Sequence, residues 1–239
     1  MIGDSPATQV AWACRILAAH GYEDLTLGHV SARDSEPDAM WIKRKGVSLA
    51  EVAPRDVLRT SINGDFQNAS DMHLEAVLHT EVYRARPDVR CVVHGHPLHA
   101  TAFGAAHADL AFISHDAVLF KEGIAALDEV PELIVGKSQG EVVARALGER
   151  SALLMRNHGV VVVGKDVPWA VLTALTLERA VQLQATAASL GELRPVPDEA
   201  VEPLHEMKYQ DAFLSEYWDA WVRELRRDGR DFDMPGAAS

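Results

Sequence analysis

The run Cys91-Val92-Val93 is short, apolar and β-prone, and Gly95 and Pro97 break the chain directly after it. Such a run reads as a buried strand, so the fold must supply a sheet around it and a core on which to lie. Side chains alternate along a strand, which sends His94 and His96 off the same face at its end. Two imidazoles so placed could grip one metal ion. An isolated His-Xaa-His pair is equally well read as two polar residues where a strand meets solvent, because two ligands alone do not make a site. A third ligand and a carboxylate elsewhere in the chain decide between these readings.

At 239 residues the chain is long enough for one large domain, and its hydrophobic fraction of 48% is that of a globular protein. A net charge of −12 and a pI near 5.3, without a basic patch, exclude a typical nucleic-acid binder. Cys14 and Cys91 both sit in apolar runs, as buried reduced thiols do. The N-terminus lacks a basic segment followed by an apolar one, and no apolar run approaches the ~20 residues of a membrane span. A cytoplasmic location, with neither membrane nor nucleic acid as partner, is the expectation.

Apolar positions spaced for one helical face predict a helix over residues 7–20, closed by Gly21. Residues 28–33 and 40–43 read as a hairpin pair, 49–52 as a helical turn, and 57–62 as a strand leading into the hairpin signal Asn63-Gly64. A helix is predicted over 71–86, then the histidine strand, then a short helix over 98–103 ending at Gly104. Residues 110–114 and 117–120 are strand candidates, separated by His115-Asp116. Ser138 and Glu141 suggest a capping box for a helix to about Leu147. Strands are expected at 152–155 and 160–163, and Asp166 caps a long helix over 167–190 with Pro168 in its first turn. Pro195, Pro197 and Pro203 mark an irregular linker, and 211–227 form a last helix with Leu214, Tyr217, Trp218, Trp221 and Leu225 on one side. Residues 229–239 read as a frayed tail beyond a single domain of 1–228. Helices mixed with hairpins and helix-linked strands imply helices layered on a sheet.

The third ligand candidate is His158, at a corner between two apolar strands where Gly159 permits a sharp turn. A histidine capping a tight turn is the plainer alternative. Glu75 is the carboxylate candidate, with Asp71 and Glu81 as rivals and His79 one turn beyond. Pattern alone does not choose among them.

Two segments, Ala85-Arg86-Pro87-Asp88-Val89-Arg90-Cys91-Val92-Val93-His94-Gly95-His96 and Leu154-Met155-Arg156-Asn157-His158-Gly159, together resemble the class II aldolase/adducin family, in matching order and spacing. The likeness runs from the first helix to about Leu190. It implies an α/β/α sandwich around a mostly antiparallel sheet, commonly a C4 homotetramer with active sites between subunits. It also implies that His94, His96 and His158 bind one divalent metal ion (Zn2+ or Mn2+, with Fe2+ and Co2+ as further options) and that Glu75 is the catalytic acid/base.

Sugar-phosphate aldolases of that family hold phosphate with a Gly-Asn pair, a Ser-Gly or Thr-Gly pair and two serines. The matching positions here read Gly28-His29, Lys45-Gly46 and His73-Leu74, which largely removes the phosphate cup. Relatives acting on unphosphorylated acids, among them decarboxylases of hydroxylated aromatic or pyridine dicarboxylic acids, are the nearer likeness. His29, Arg33, Lys45 and His115 are then the expected substrate-binding side chains, meeting a carboxylate through charge-assisted hydrogen bonds. Arg44 joins this cluster, and a solvated basic surface explains Arg33 and Arg44 equally well. The expected activity is a metal-dependent carbon–carbon lyase that decarboxylates a hydroxylated acid. Aldol cleavage of a hydroxy-keto acid or sugar substrate, or a non-catalytic adducin-like binding module, are the alternatives.

Overall fold

Ser5 starts the first helix, α1 (Pro6–Leu17), by accepting a hydrogen bond from the Thr8 amide, and proline in the first turn loses no needed donor. A π-type turn over Ala18–Tyr22 ends it, and Gly21, at φ 98°, lets the chain reverse. The computed structural model describes residues 4–64, 70–106, 108–129 and 133–232. The strands are β1 (His29–Arg33), β2 (Ala39–Lys43), β3 (Val57–Ser61), β4 (Cys91–Gly95), β5 (Ala125–Leu127), β6 (Ala152–Met155) and β7 (Gly159–Gly164). They form one sheet in the order β3-β2-β1-β4-β7-β6-β5, antiparallel throughout except for β5 beside β6.

Alternation along these strands divides the core in two. Val30, Ala32, Cys91, Val93, Val160 and Val162 face α1, α3 (Leu98–Gly104), α5 (Val167–Leu190) and α7 (Asp211–Arg227). Met40, Ile42, Val92, Val161 and Val163 face α2 (Ala76–Ala85) and α4 (Lys137–Leu147). The expected α/β/α sandwich on a mostly antiparallel sheet is therefore the observed architecture. Its central strands β4 and β7 are apolar on both sides because both sides are covered.

Several local expectations are corrected. The helix expected from Asp71 begins only at Ala76, since Lys45 N donates to Asp71 O and Ala76 N to His73 O, holding 71–75 in turns. Residues 110–114 are not a strand: Ala111 N donates to Gln184 and Val196 N to Phe112 O, so this backbone is satisfied away from the sheet. Ala117–Phe120 winds as a 3-10 turn, burying Ala117, Val118 and Phe120 rather than alternate residues. The Ser138 cap gives way to Gly136, whose amide donates to the Gln139 side chain two residues before the expected box. The proline linker contains helix α6 (Asp198–Lys208), with Asp198 and Glu199 in its first turn and Pro203 inside. On α7 the buried side is Leu214, Trp218, Val222 and Leu225, while Tyr217 is exposed. Residues 229–232 are docked: Phe232 is buried against Trp12, and Arg230 O accepts from Arg15. A second strand after Asn63-Gly64 would lie at 65–69, outside the described residues, as would the rest of the tail at 233–239.

Candidate metal and catalytic site

His29 lies opposite His94 in the register of β1 against β4, at the sheet's end. Both side chains leave the face covered by α2, and the N-cap of that helix is Glu75. The β6–β7 turn brings His158 to the same point. Asn157 holds this corner at φ 56°, a conformation asparagine tolerates better than most residues. Gly159 follows because a Cβ there would stand 2.5 Å from both the Gly95 carbonyl oxygen and the His96 ring. Four segments distant in sequence thus meet around one carboxylate.

His94 Nδ1 is 2.9 Å from the Val160 carbonyl oxygen, which only accepts, so Nδ1 carries a hydrogen and Nε2 is the ring nitrogen turned to the site. His96 Nδ1 is 2.8 Å from Asp24 Oδ2, which fixes the same tautomer by a carboxylate–imidazole pair. His94 Nε2 and His158 Nε2 are both buried without a hydrogen-bond partner, each 3.4 Å from a Glu75 carboxylate oxygen. One ligand atom from each of His94, His96 and His158 falls within 4.8 Å of the others, and His29, Glu75 and His94 make a second such group. Buried ring nitrogens left without a partner are costly, whereas coordination to a cation satisfies them. This donor set could hold a divalent metal ion, and it fits one in its nitrogen chemistry.

The electrostatics separate the roles further. Burial alone would raise the Glu75 carboxyl, but His158, His29 and His94 outweigh it and keep the group ionised, well below its ordinary value. Ile134 N also donates to Glu75 Oε1 at 3.0 Å, anchoring the carboxylate to the following loop. Burial holds His29 and His79 well below the usual histidine range. His73 is lowered to about 3 by burial and by neighbouring Lys43. A cavity of about 460 Å3 opens on this cluster, with Leu27 and Leu133 as apolar walls beside His29, His73, His96 and His158.

Of the expected substrate-binding residues, only His29 reaches this cavity. The Arg33 guanidinium lies at the other end of β1, donating to the carbonyls of Tyr83 and Val89 and stacking on the Tyr83 ring. Lys45 is exposed on the turn after β2, and His115 is exposed with its carbonyl accepting from Tyr209. Within this chain neither lines the cavity. Among the rivals to Glu75, Glu81 pairs with Arg84, and Asp71 is exposed beside Arg44.

Three contributors were missed from sequence. Asp24 stands beside Glu23 as one of two adjacent acidic residues with no motif around them, and only the fold shows it holding His96. Lys43, at the end of β2, is fully buried, its Nζ donating to Thr26 O at 3.0 Å and lying 3.1 Å from His73 Nε2. His73 in turn packs on His29, with ring centroids 4.5 Å apart. The lysine's signal was a charge in a strand covered on both faces, a fact legible only once α1 and α2 are placed.

A family model described as the Class II Aldolase and Adducin N-terminal domain matches residues 8–185. The 3,4-dihydroxyphthalate decarboxylase of Rhodococcus jostii is 32% identical over 201 residues, covering 76% of this chain and 80% of the relative. The L-fuculose phosphate aldolase of Methanococcus maripaludis is 27% identical over 178 residues, 74% of this chain and 94% of the relative. Among solved structures, an aldolase II superfamily protein from Pseudomonas syringae superposes with a TM-score of 0.82 at 26% identity, covering 95% of this chain and 94% of that one. With His29, His94 and His158 gathered on one carboxylate and the family model spanning most of its length, this chain belongs to the class II aldolase and adducin family.

Proposed function

We propose that this lyase decarboxylates an unphosphorylated, hydroxylated aromatic or heteroaromatic carboxylic acid. In this reading His94, His96 and His158 hold the divalent ion, Zn2+ or Mn2+, and Glu75 moves the proton. The observation that carries the reading is the pair of buried, partnerless Nε2 atoms on His94 and His158, both turned to Glu75. A binding module of the adducin kind has no use for two such atoms, whose desolvation is a standing cost. The choice of substrate rests on the cavity. Leu27 and Leu133 suit a flat ring, His73 and Leu74 supply no hydroxyl for a phosphate, and Lys43 behind His73 leaves positive charge at the wall. The 3,4-dihydroxyphthalate decarboxylase relative acts on a substrate of this class.

When bound, the ion supplies positive charge against the negative charge that develops on substrate oxygen as the carbon–carbon bond breaks. Glu75 begins ionised, so its first act is to accept a proton from the substrate hydroxyl. The electron pair of the breaking bond stays on the ring carbon, and carbon dioxide leaves. The protonated Glu75 then delivers its proton to that carbon and returns to the carboxylate, and water reprotonates the product oxygen. His29, 3.9 Å from Glu75 Oε2, lies beside this exchange at the cavity wall.

The test is to load the protein with Zn2+ or Mn2+, then offer 3,4-dihydroxyphthalate and L-fuculose 1-phosphate separately. Carbon dioxide from the first, with no aldehyde from the second, is expected. Efficient cleavage of the sugar phosphate would replace decarboxylation by phosphate aldol chemistry. A protein that binds no metal stoichiometrically would remove the catalytic reading altogether.

A further inference from the structure

Behind His29 a buried chain of hydrogen bonds runs away from the cavity. His29 Nδ1 is 2.7 Å from His79 Nε2, His79 Nδ1 is 2.6 Å from Ser31 Oγ, and Ser31 Oγ is 2.8 Å from the Tyr83 hydroxyl. All four side chains are buried, His79 and Ser31 completely. Each imidazole in its neutral form carries one ring hydrogen, and each hydroxyl carries one. The chain therefore holds four polar hydrogens for three contacts; were Ser31 Oγ to accept from both His79 and Tyr83, its own hydrogen would have no acceptor among the described residues, which leaves two through-running directions.

Running inward, His29 would donate to His79, His79 to Ser31, and Ser31 to Tyr83. The Tyr83 hydroxyl hydrogen would then have no acceptor, because Ser31 is its single partner among the described residues. At the other end, the bare His29 Nε2 would face the Glu75 carboxylate, acceptor against acceptor, at 3.9 Å. Running outward, Tyr83 donates to Ser31, Ser31 to His79 Nδ1, and His79 Nε2–H to His29 Nδ1. Each contact then holds one hydrogen, and the fourth emerges at the cavity as His29 Nε2–H. Only this direction leaves no buried donor unsatisfied.

We infer that Tyr83, Ser31 and His79 form a one-way hydrogen-bond chain that locks His29 as the Nε2–H tautomer, a fixed donor to an anionic oxygen of the substrate. His79, Ser31 and Tyr83 are positioning residues in this scheme, acting through His29. The identity of the oxygen rests on the decarboxylase reading; the tautomer does not.

Long-range 1H–15N spectra of the 15N-histidine-labelled protein, metal-free and Zn2+-loaded, distinguish a protonated ring nitrogen from a bare one. Both His29 and His79 are expected to carry hydrogen on Nε2 alone, in both states and without any substrate. Ser31→Ala should abolish the bias on His79, giving mixed tautomers there and at His29, while Tyr83→Phe, which leaves the Ser31 donor in place, should preserve Nε2–H on both. A hydrogen on Nδ1 of either histidine in the unmodified protein would overturn the inference, as would an unchanged tautomer in a folded Ser31→Ala protein. Because no turnover is measured, failure of the decarboxylation assay leaves this result standing, and the reverse also holds.

Discussion

Single atoms decide what this site can do. Asp24 holds His96 by one contact of 2.8 Å, and outer partners of this kind orient the ring and raise its basicity. Asp24→Asn should keep the fold but weaken metal affinity by roughly 10–100-fold, as read by competition with a chelator. An unchanged affinity would take His96 out of the ligand set. Glu75→Gln keeps the Ile134 contact and removes the proton carrier, so metal binding should survive while turnover falls by about 10²–10⁴-fold. Undiminished turnover would assign the proton transfer elsewhere. The buried histidines make a separate, thermodynamic prediction. In the unfolded chain a histidine takes its proton near pH 6.5, whereas His73 resists until about 3, and burial holds His29 and His79 well below the usual range. Below pH 6.5 the unfolded state therefore binds more protons than the folded one, and stability must fall as pH drops. The slope approaches about 1.4 kcal/mol per pH unit for each such histidine. Urea unfolding of the metal-free protein at pH 7, 6 and 5 should show this decline. A His79→Gln protein should show a shallower one, and equal stability at all three pH values would mean that these rings are not held neutral.

At the scale of elements, the site depends on how closely β4 and the β6–β7 turn approach. Gly159→Ala places a methyl 2.5 Å from the Gly95 carbonyl and the His96 ring, so one of them must move. Overpacking of this sort costs roughly 1–3 kcal/mol, and here it presses on His96, a proposed ligand, or on the strand that carries it. Thermal unfolding and metal titration should therefore deteriorate together; a stabilised protein with intact metal binding would show that the turn has room. Elements were legible from sequence where one principle dominated. The helix at Val167–Leu190 is legible because Asp166 and Pro168 set its start and a long apolar pattern carries it. Strands β1, β2, β4, β6 and β7 were legible as β-prone runs between glycines and turn residues. Residues 110–114 misled because they are extended and apolar, yet their backbone partners are Gln184 and Val196, far away in sequence. β5, three residues long, lacked the length to show a period at all. The metal histidines could be proposed from spacing, but Lys43, Asp24 and the position of Glu75 as an N-cap depend on contacts between segments that no local pattern encodes.

For the whole molecule, the informative feature is what one chain leaves uncovered. Leu27 and Leu133 at the cavity are 48% and 57% exposed, and Leu25, Leu74 and Leu98, each next to or two residues from a residue of the site, are 78%, 51% and 72% exposed. Scattered surface leucines mean little, but Leu27 and Leu133 share one opening and the other three flank site residues in sequence, an exposed apolar set of the kind that marks an interface. Covering a leucine fully is worth about 1.5–3 kcal/mol, so a partner surface seated here gains several times that before the entropy of association is subtracted. A homotetramer with sites between subunits, the arrangement expected from the family resemblance, would cover these leucines and close the cavity against water. Light scattering should then report a mass about four times the 26.1 kDa of the chain. Leu98→Glu, at an exposed position in the first turn of α3, should dissociate the assembly and depress turnover while leaving chelator-competition metal affinity within a few-fold of the parent. A fully active monomer at micromolar concentration would refute the shared site. It would also require these leucines to serve the substrate alone.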